Sequence, residues 1–184
     1  MKYDFNYWQF SPENQYLDRK SARKKPQELL KHLIAFANAD GGQLIIGIED
    51  EKQDNIITGF KDGKAYPIDD FKKIDREMRD TPLDLSFEEI PVINHKGEDD
   101  LILVISVELS SNRVIAAPND EVYLRQGDES VKLSYEQRIQ LSYDKGQRFF
   151  EDEIIEDATL DDIDELLVQD FKEHFDISER STEE

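Results

Sequence analysis

Two adjacent glycines, Gly41 and Gly42, separate a stretch of helical periodicity from an unbroken apolar run, and no other feature constrains the fold as tightly. Upstream, Pro26 suits the first position of a helix, where its missing N–H leaves no bond unmade. Leu29, Leu30, Leu33, Ile34, Phe36 and Ala37 follow at helical spacing. The helix is expected to stop at Asn38–Gly42, because glycine adopts the left-handed backbone that ends helices and that other residues resist. Downstream, Leu44-Ile45-Ile46-Gly47-Ile48 is apolar at almost every position, so it reads as a strand covered on both faces.

The other elements follow from turn signals and period. Asp54-Asn55 marks a turn into Ile56-Ile57-Thr58 and predicts a hairpin. Pro67 begins a second helix with Ile68, Phe71, Ile74 and Met78 on one face, ended at Thr81-Pro82. Leu83, Leu85 and Phe87 alternate as in a half-buried strand. Pro91-Val92-Ile93 and the run Leu101 to Val107 flank a turn at Lys96-Gly97 and predict another hairpin. Glu121 to Arg125 is a short strand, and Ser134 with Gln137 has the spacing of a capping box opening a helix to Tyr143. The order predicts an α+β fold: a mixed, largely antiparallel sheet packed with helices. Beyond it, Thr159 with Asp162 marks a helix start, and Leu160, Ile163, Leu166, Leu167 and Phe171 recur at helical spacing, which predicts a C-terminal acidic amphipathic helix.

Charge divides the chain. The formal net charge is −20, but residues 149–184 hold fifteen of the 43 acids and only two of the 23 lysines and arginines. The expected organisation is a folded domain over 1–148 and, over 149–184, an acidic helical tail or link to a further domain. The global charge opposes electrostatic binding to nucleic acid. Locally, Arg19, Lys20, Arg23, Lys24 and Lys25 form a compact basic cluster just before a helix start, where backbone N–H groups favour phosphate. The alternative is a solvated loop that balances the acidic tail.

The absence of cysteine excludes disulfides, thiolate metal sites and cysteine nucleophiles, and fits a reducing, cytoplasmic location. The opening MKYDFNYWQF lacks the apolar run of a secretory signal, and no apolar stretch is long enough to span a bilayer, so no membrane partner is expected. His32, His95 and His174 lack zinc-site spacing, and His32 reads as a polar-face or packed helix residue. No Walker loop, dinucleotide glycine motif or serine elbow is present.

Several motifs recur in a familiar order: Glu13-Asn14-Gln15-Tyr16-Leu17-Asp18-Arg19-Lys20, Ala35-Phe36-Ala37-Asn38-Ala39-Asp40-Gly41-Gly42, Gly47-Ile48-Glu49-Asp50, Thr58-Gly59 and Val122-Tyr123-Leu124-Arg125-Gln126-Gly127. The set, followed by Ser134-Tyr135-Glu136-Gln137, resembles the Schlafen AlbA-type domain family. The resemblance implies a nucleic-acid-associated α+β domain. Bacterial members are described as DNA-binding or ATP-binding regulators, and vertebrate relatives include tRNA-cleaving nucleases with a carboxylate triad. It would place catalytic roles on Glu13, Asp18 and Glu49, and would let those three and Asp50 hold Mg²⁺ or Mn²⁺, hard cations that take carboxylate oxygens. Three departures stand out: Asp18 and Glu49 replace the family's Glu and Asp, each moving a carboxylate by about one methylene, and Arg19 stands where the family has a hydrophobic residue, although Lys20 is kept.

The leading expectation is a nucleic-acid-binding regulatory domain, nucleotide-responsive through ATP, contacting DNA or RNA through Arg19, Lys20, Arg23, Lys24, Lys25 and Arg125. Arg125 has the alternative of pairing with Asp128 or Glu129. Asn38, Gly41, Gly42 and Gly47 are expected to be structural: a helix end and a tight turn into the strand. Tyr7, Trp8 and Tyr16 either stack on bases or, the favoured reading, pack. The alternatives for the whole chain are a metal-dependent endoribonuclease, and a protein-interaction module or DNA mimic acting through the acidic helix, with residues 151–184 serving a homodimer or a downstream domain.

Overall fold

The computed structural model describes residues 5–50, 54–76, 78, 82–146 and 166–169. It divides into two compact units, Met1–Arg148 and Phe149–Glu184. In the second, residues 166–169 are helical and Leu166, Leu167 and Val168 are exposed. The rest of the expected acidic helix, with Thr159, Leu160, Ile163 and Phe171, lies outside the described residues.

The first unit is α+β. Its elements are α1 (Phe5–Phe10), β1 (Leu17–Lys20), α2 (Pro26–Asn38), β2 (Gly42–Ile46), α3 (Ile68–Phe71), β3 (Leu85–Ile93), β4 (Asp99–Val107), β5 (Tyr123–Gln126), β6 (Glu129–Lys132) and α4 (Tyr135–Asp144). A four-stranded sheet runs β1-β2-β4-β3, and β5 and β6 form a separate hairpin. Only β1 and β2 pair in parallel; β2 with β4 and β4 with β3 are antiparallel.

The apolar run of β2 is explained by two cores. Leu44 and Ile46 face one side with Leu103, Ile105 and Val107 of β4, against Leu29, Leu33 and Phe36 of α2. Ile45 and Ile48 face the other side with Ile102 and Val104, against Leu17 and Trp8 of α1. Successive strand side chains point to opposite faces, so both strands must be apolar at every position that is covered twice. Burying each such side chain contributes about 1.5–3 kcal/mol.

The glycine junction is a close approach of backbones. Gly41 has φ 77, and a Cβ there would lie 2.7 Å from the Val107 carbonyl oxygen. The amide of Gly41 donates to Phe36 O at 2.9 Å and closes the end of α2. Asn38 ties that end to the chain beyond β4: its Nδ2 donates to Ile115 O (2.8 Å) and Tyr123 O (2.9 Å), while its Oδ1 accepts from the Ile115 amide at 2.8 Å. At α4 the capping box is formed, Ser134 accepting from the Gln137 amide and Gln137 from the Ser134 amide.

Three local expectations need correction. The helix after Pro67 spans only Ile68–Phe71. It continues as single tight turns, Ile74 N to Phe71 O and Arg76 N to Lys73 O, in which residues three apart nearly eclipse; Phe71 and Ile74 so reach the core together, and Met78 joins them there. The hairpin at Asp54-Asn55 reduces to one bridge, Ile48 with Ile57, although both turn residues take the positive φ of a primed turn, 56 and 53. The segments read as two strands before Lys96-Gly97 are one strand, β3, which tolerates Pro91 because it lies at the sheet edge.

Candidate nucleic-acid interface

β1 carries the first half of the expected site and points it inward. Asp18 is 1 % exposed. Its Oδ2 accepts from Arg125 Nη1 at 2.8 Å and lies 3.1 Å from His32 Nδ1, while Oδ1 accepts from Lys20 Nζ. Arg125, 2 % exposed, also donates Nε and Nη2 to Asn14 O (3.1 and 2.9 Å) and Nη2 to Leu17 O (3.1 Å), and its guanidinium stands 4.8 Å over the Phe36 ring. The arginine therefore fastens the β5–β6 hairpin to β1. This corrects both readings of Arg125, which neither faces a ligand nor pairs with Asp128 or Glu129.

Arg19 needs the same correction. It is fully buried and donates to the carbonyls of Trp8 and Ser11, holding α1 against β1. Lys20 is half-buried between Asp18 and Glu13. Trp8 is also buried and donates Nε1 to Gln43 Oε1 at 3.0 Å, which removes it as a stacking surface; Tyr7 and Tyr16 stay exposed.

The electrostatics of this flank follow from its burial. Burial alone would raise the pKa of Asp18, but the hydrogen bond with His32 and the charge of Lys20 hold it well below the ordinary carboxylate range. Burial, and then the adjacent Asp18, push Glu13 up. Burial lowers His32 below 6.5 despite Asp18 beside it, so the imidazole is neutral at neutral pH.

Glu13 and Asp18 adjoin, but Glu49 is held elsewhere. Glu49 is buried, its Oε1 accepting from Ser21 Oγ at 2.7 Å and Thr58 Oγ1 at 3.0 Å. Asp50 is half-buried, and its Oδ1 is buried without a hydrogen-bond partner among the described residues. Among the described residues no three His, Cys, Asp or Glu side chains are gathered so as to hold a metal ion. Both Asp18 oxygens are taken by Arg125 and Lys20, and Glu49 Oε1 by the hydroxyls of Ser21 and Thr58, so these three oxygens are engaged by side chains instead of open to a divalent cation.

Cations face solvent on another surface. Arg23, Lys24 and Lys25 are exposed in the loop leading into α2; Arg23 pairs with Asp62, and Lys24 and Lys25 form no ion pair among the described residues. Lys25 opens a groove of about 930 Å³ between α2 and the segments 66–76 and 117–123, which Lys31, Lys73 and Arg76 also line. Sequence reading missed those last three because it sought a contiguous run. Their signal is a spacing of three at exposed positions, Lys25 at the N-cap of α2 to Glu28 to Lys31 on the helix, and Lys73 to Arg76 on the turns.

A family model described as Schlafen, AlbA_2 matches residues 13–134. No curated protein matches the chain. Among solved structures, that of the DIP2311 protein from Corynebacterium diphtheriae superposes with a TM-score of 0.49 at 20% identity, covering 90% of this chain and 36% of that one. This chain therefore spans about a third of the length of that protein.

Proposed function

This chain belongs to the Schlafen, AlbA_2 family, a family associated with nucleic acids, and we propose on that premise that it is a nucleic-acid-binding regulatory domain. The observation that supports the reading is the exposed pair Lys24 and Lys25 at the start of α2, without acid partners among the described residues, in a chain whose net charge is −20. Acids outnumber bases nearly two to one in the whole chain, yet these two cations are adjacent in sequence, exposed and next to the start of a helix, where phosphates can be accepted. Nucleotide response belongs to the same proposal, with the domain coupling a bound nucleotide to its grip on DNA or RNA.

Fluorescence anisotropy of labelled DNA and RNA oligonucleotides with the full chain tests this. Affinity should fall as a power of the salt concentration. Absence of binding to every oligonucleotide at low ionic strength rejects the proposal.

A further inference from the structure

The groove beside α2 differs from a plain basic patch in having a floor. Tyr66 and Ile74 lie among its lining residues, Tyr66 half-buried and Ile74 buried in the main core. Lys25 stands at the N-cap of α2 and Lys31 on α2 itself, and Lys73 and Arg76 come from the turns after α3. None of the four forms an ion pair within 4.0 Å among the described residues, and of the groove's three acids Glu121 is already engaged by Lys132 and the Tyr123 hydroxyl. The groove thus keeps a cationic surplus around an aromatic and apolar base.

That arrangement discriminates between forms of nucleic acid. A duplex turns its bases inward and presents phosphates on a convex cylinder, which meets a concave apolar floor poorly. A single strand exposes the π-faces of its bases, which stack on aromatic side chains while flanking cations follow the backbone. We infer that the groove of Lys25, Lys31, Lys73 and Arg76 takes one nucleic-acid strand, its phosphates on those cations and a base on Tyr66. The inference rests on the proposed nucleic-acid binding and names its site and substrate class.

The test compares a single-stranded oligonucleotide with its duplex on the full chain, on Tyr66→Leu, which keeps apolar packing, and on Lys73→Glu/Arg76→Glu. Lys96→Glu, an exposed lysine at the β3–β4 turn, is the control, and thermal midpoints confirm that each variant is folded. The single strand should bind at least about tenfold tighter than the duplex. Tyr66→Leu should weaken single-strand binding by about 5- to 150-fold, as the loss of one stacked base does. The double reversal should lower the slope of log affinity against log salt by about 1.4, at about 0.7 per phosphate contact on a single strand. Lys96→Glu should stay within about twofold. Equal or tighter binding of duplex, or groove variants that bind the single strand as the parent does, overturn the inference and leave the proposed function standing. Failure of the parent to bind either form removes both.

Discussion

The β1 flank and the α2 groove both collect cations, and they spend them in opposite ways. On β1, Arg19, Lys20 and, from β5, Arg125 are turned onto backbone carbonyls, Asp18 and Glu13, and little charge reaches the solvent. Beside α2, Lys25, Lys31, Lys73 and Arg76 remain without ion pairs among the described residues. The first region carries the family motifs, and the second does not. A charged motif can therefore persist because it builds the domain, while a surface fit to meet a ligand is made from residues scattered through the chain.

Arg125→Ala should break the first region most severely. It leaves Asp18 buried without its arginine, and it takes both guanidinium bonds from the Asn14 carbonyl and one of two donors from the Leu17 carbonyl. Removing one partner of a buried pair costs about 3–5 kcal/mol. Urea denaturation should show this loss, and a change under about 1 kcal/mol would mean that the hairpin does not depend on the guanidinium.

Glu13→Ala comes next. The carboxylate accepts from the Arg19 amide at 2.9 Å, and losing a hydrogen bond to a charged group costs about 1.5–3 kcal/mol. Glu13→Gln, which keeps an acceptor oxygen, should recover most of the loss. If instead both variants match the parent in urea, the carboxylate has no part in holding β1.

Acidification separates the regions further. The pKa of His32 is lowered by burial, so the unfolded chain takes up this proton first as pH falls below 6.5. Its contribution is therefore fully present above 6.5 and drains away as pH falls toward its folded value. Asp18, also lowered, adds a second loss below 3.8. Glu13, raised above 4.5, acts in the other sense, favouring the fold at low pH and losing that effect as pH rises through its folded value. Thermal midpoints should drop from pH 7 to pH 5, and His32→Gln should flatten that drop. An unchanged slope in the variant would assign the pH dependence to other groups.

The smallest effect is expected in the groove. Lys73→Glu touches no ion pair among the described residues and should change stability by no more than about 0.5 kcal/mol, in contrast with Arg125→Ala. A loss as large as that of Arg125→Ala would erase the distinction between the two regions.

Much of the fold was legible because its signals are local. The sequence from Pro26 through Gly42 to Ile48 states a helix, a turn that demands positive φ and a doubly covered strand, and Ser134 with Gln137 states a helix start. The site was less legible. Arg125 and Asp18 stand 107 positions apart, and no period or spacing joins them. Arg19 to Lys25 reads as one patch along the chain, yet Arg19 and Lys20 belong to a strand whose outer edge is sealed, and only the loop after it is free. The carboxylates divided in the same way. Glu13 and Asp18 met because β1 and the turn before it are continuous, while Glu49 was claimed by the hydroxyls of Ser21 and Thr58.

The way β1 ends the sheet has a consequence for assembly. Leu17 O is taken by the Asn14 amide and by Arg125, the Arg19 amide by Glu13, and Arg19 O by Lys20 Nζ at 2.8 Å. A foreign strand approaching this border finds the Leu17 and Arg19 carbonyls and the Arg19 amide already bonded, which weakens the border as a template for another copy. The other border of the four-stranded sheet is β3, where Pro91 offers no N–H and Glu88 adds a charge that an approaching copy would repeat.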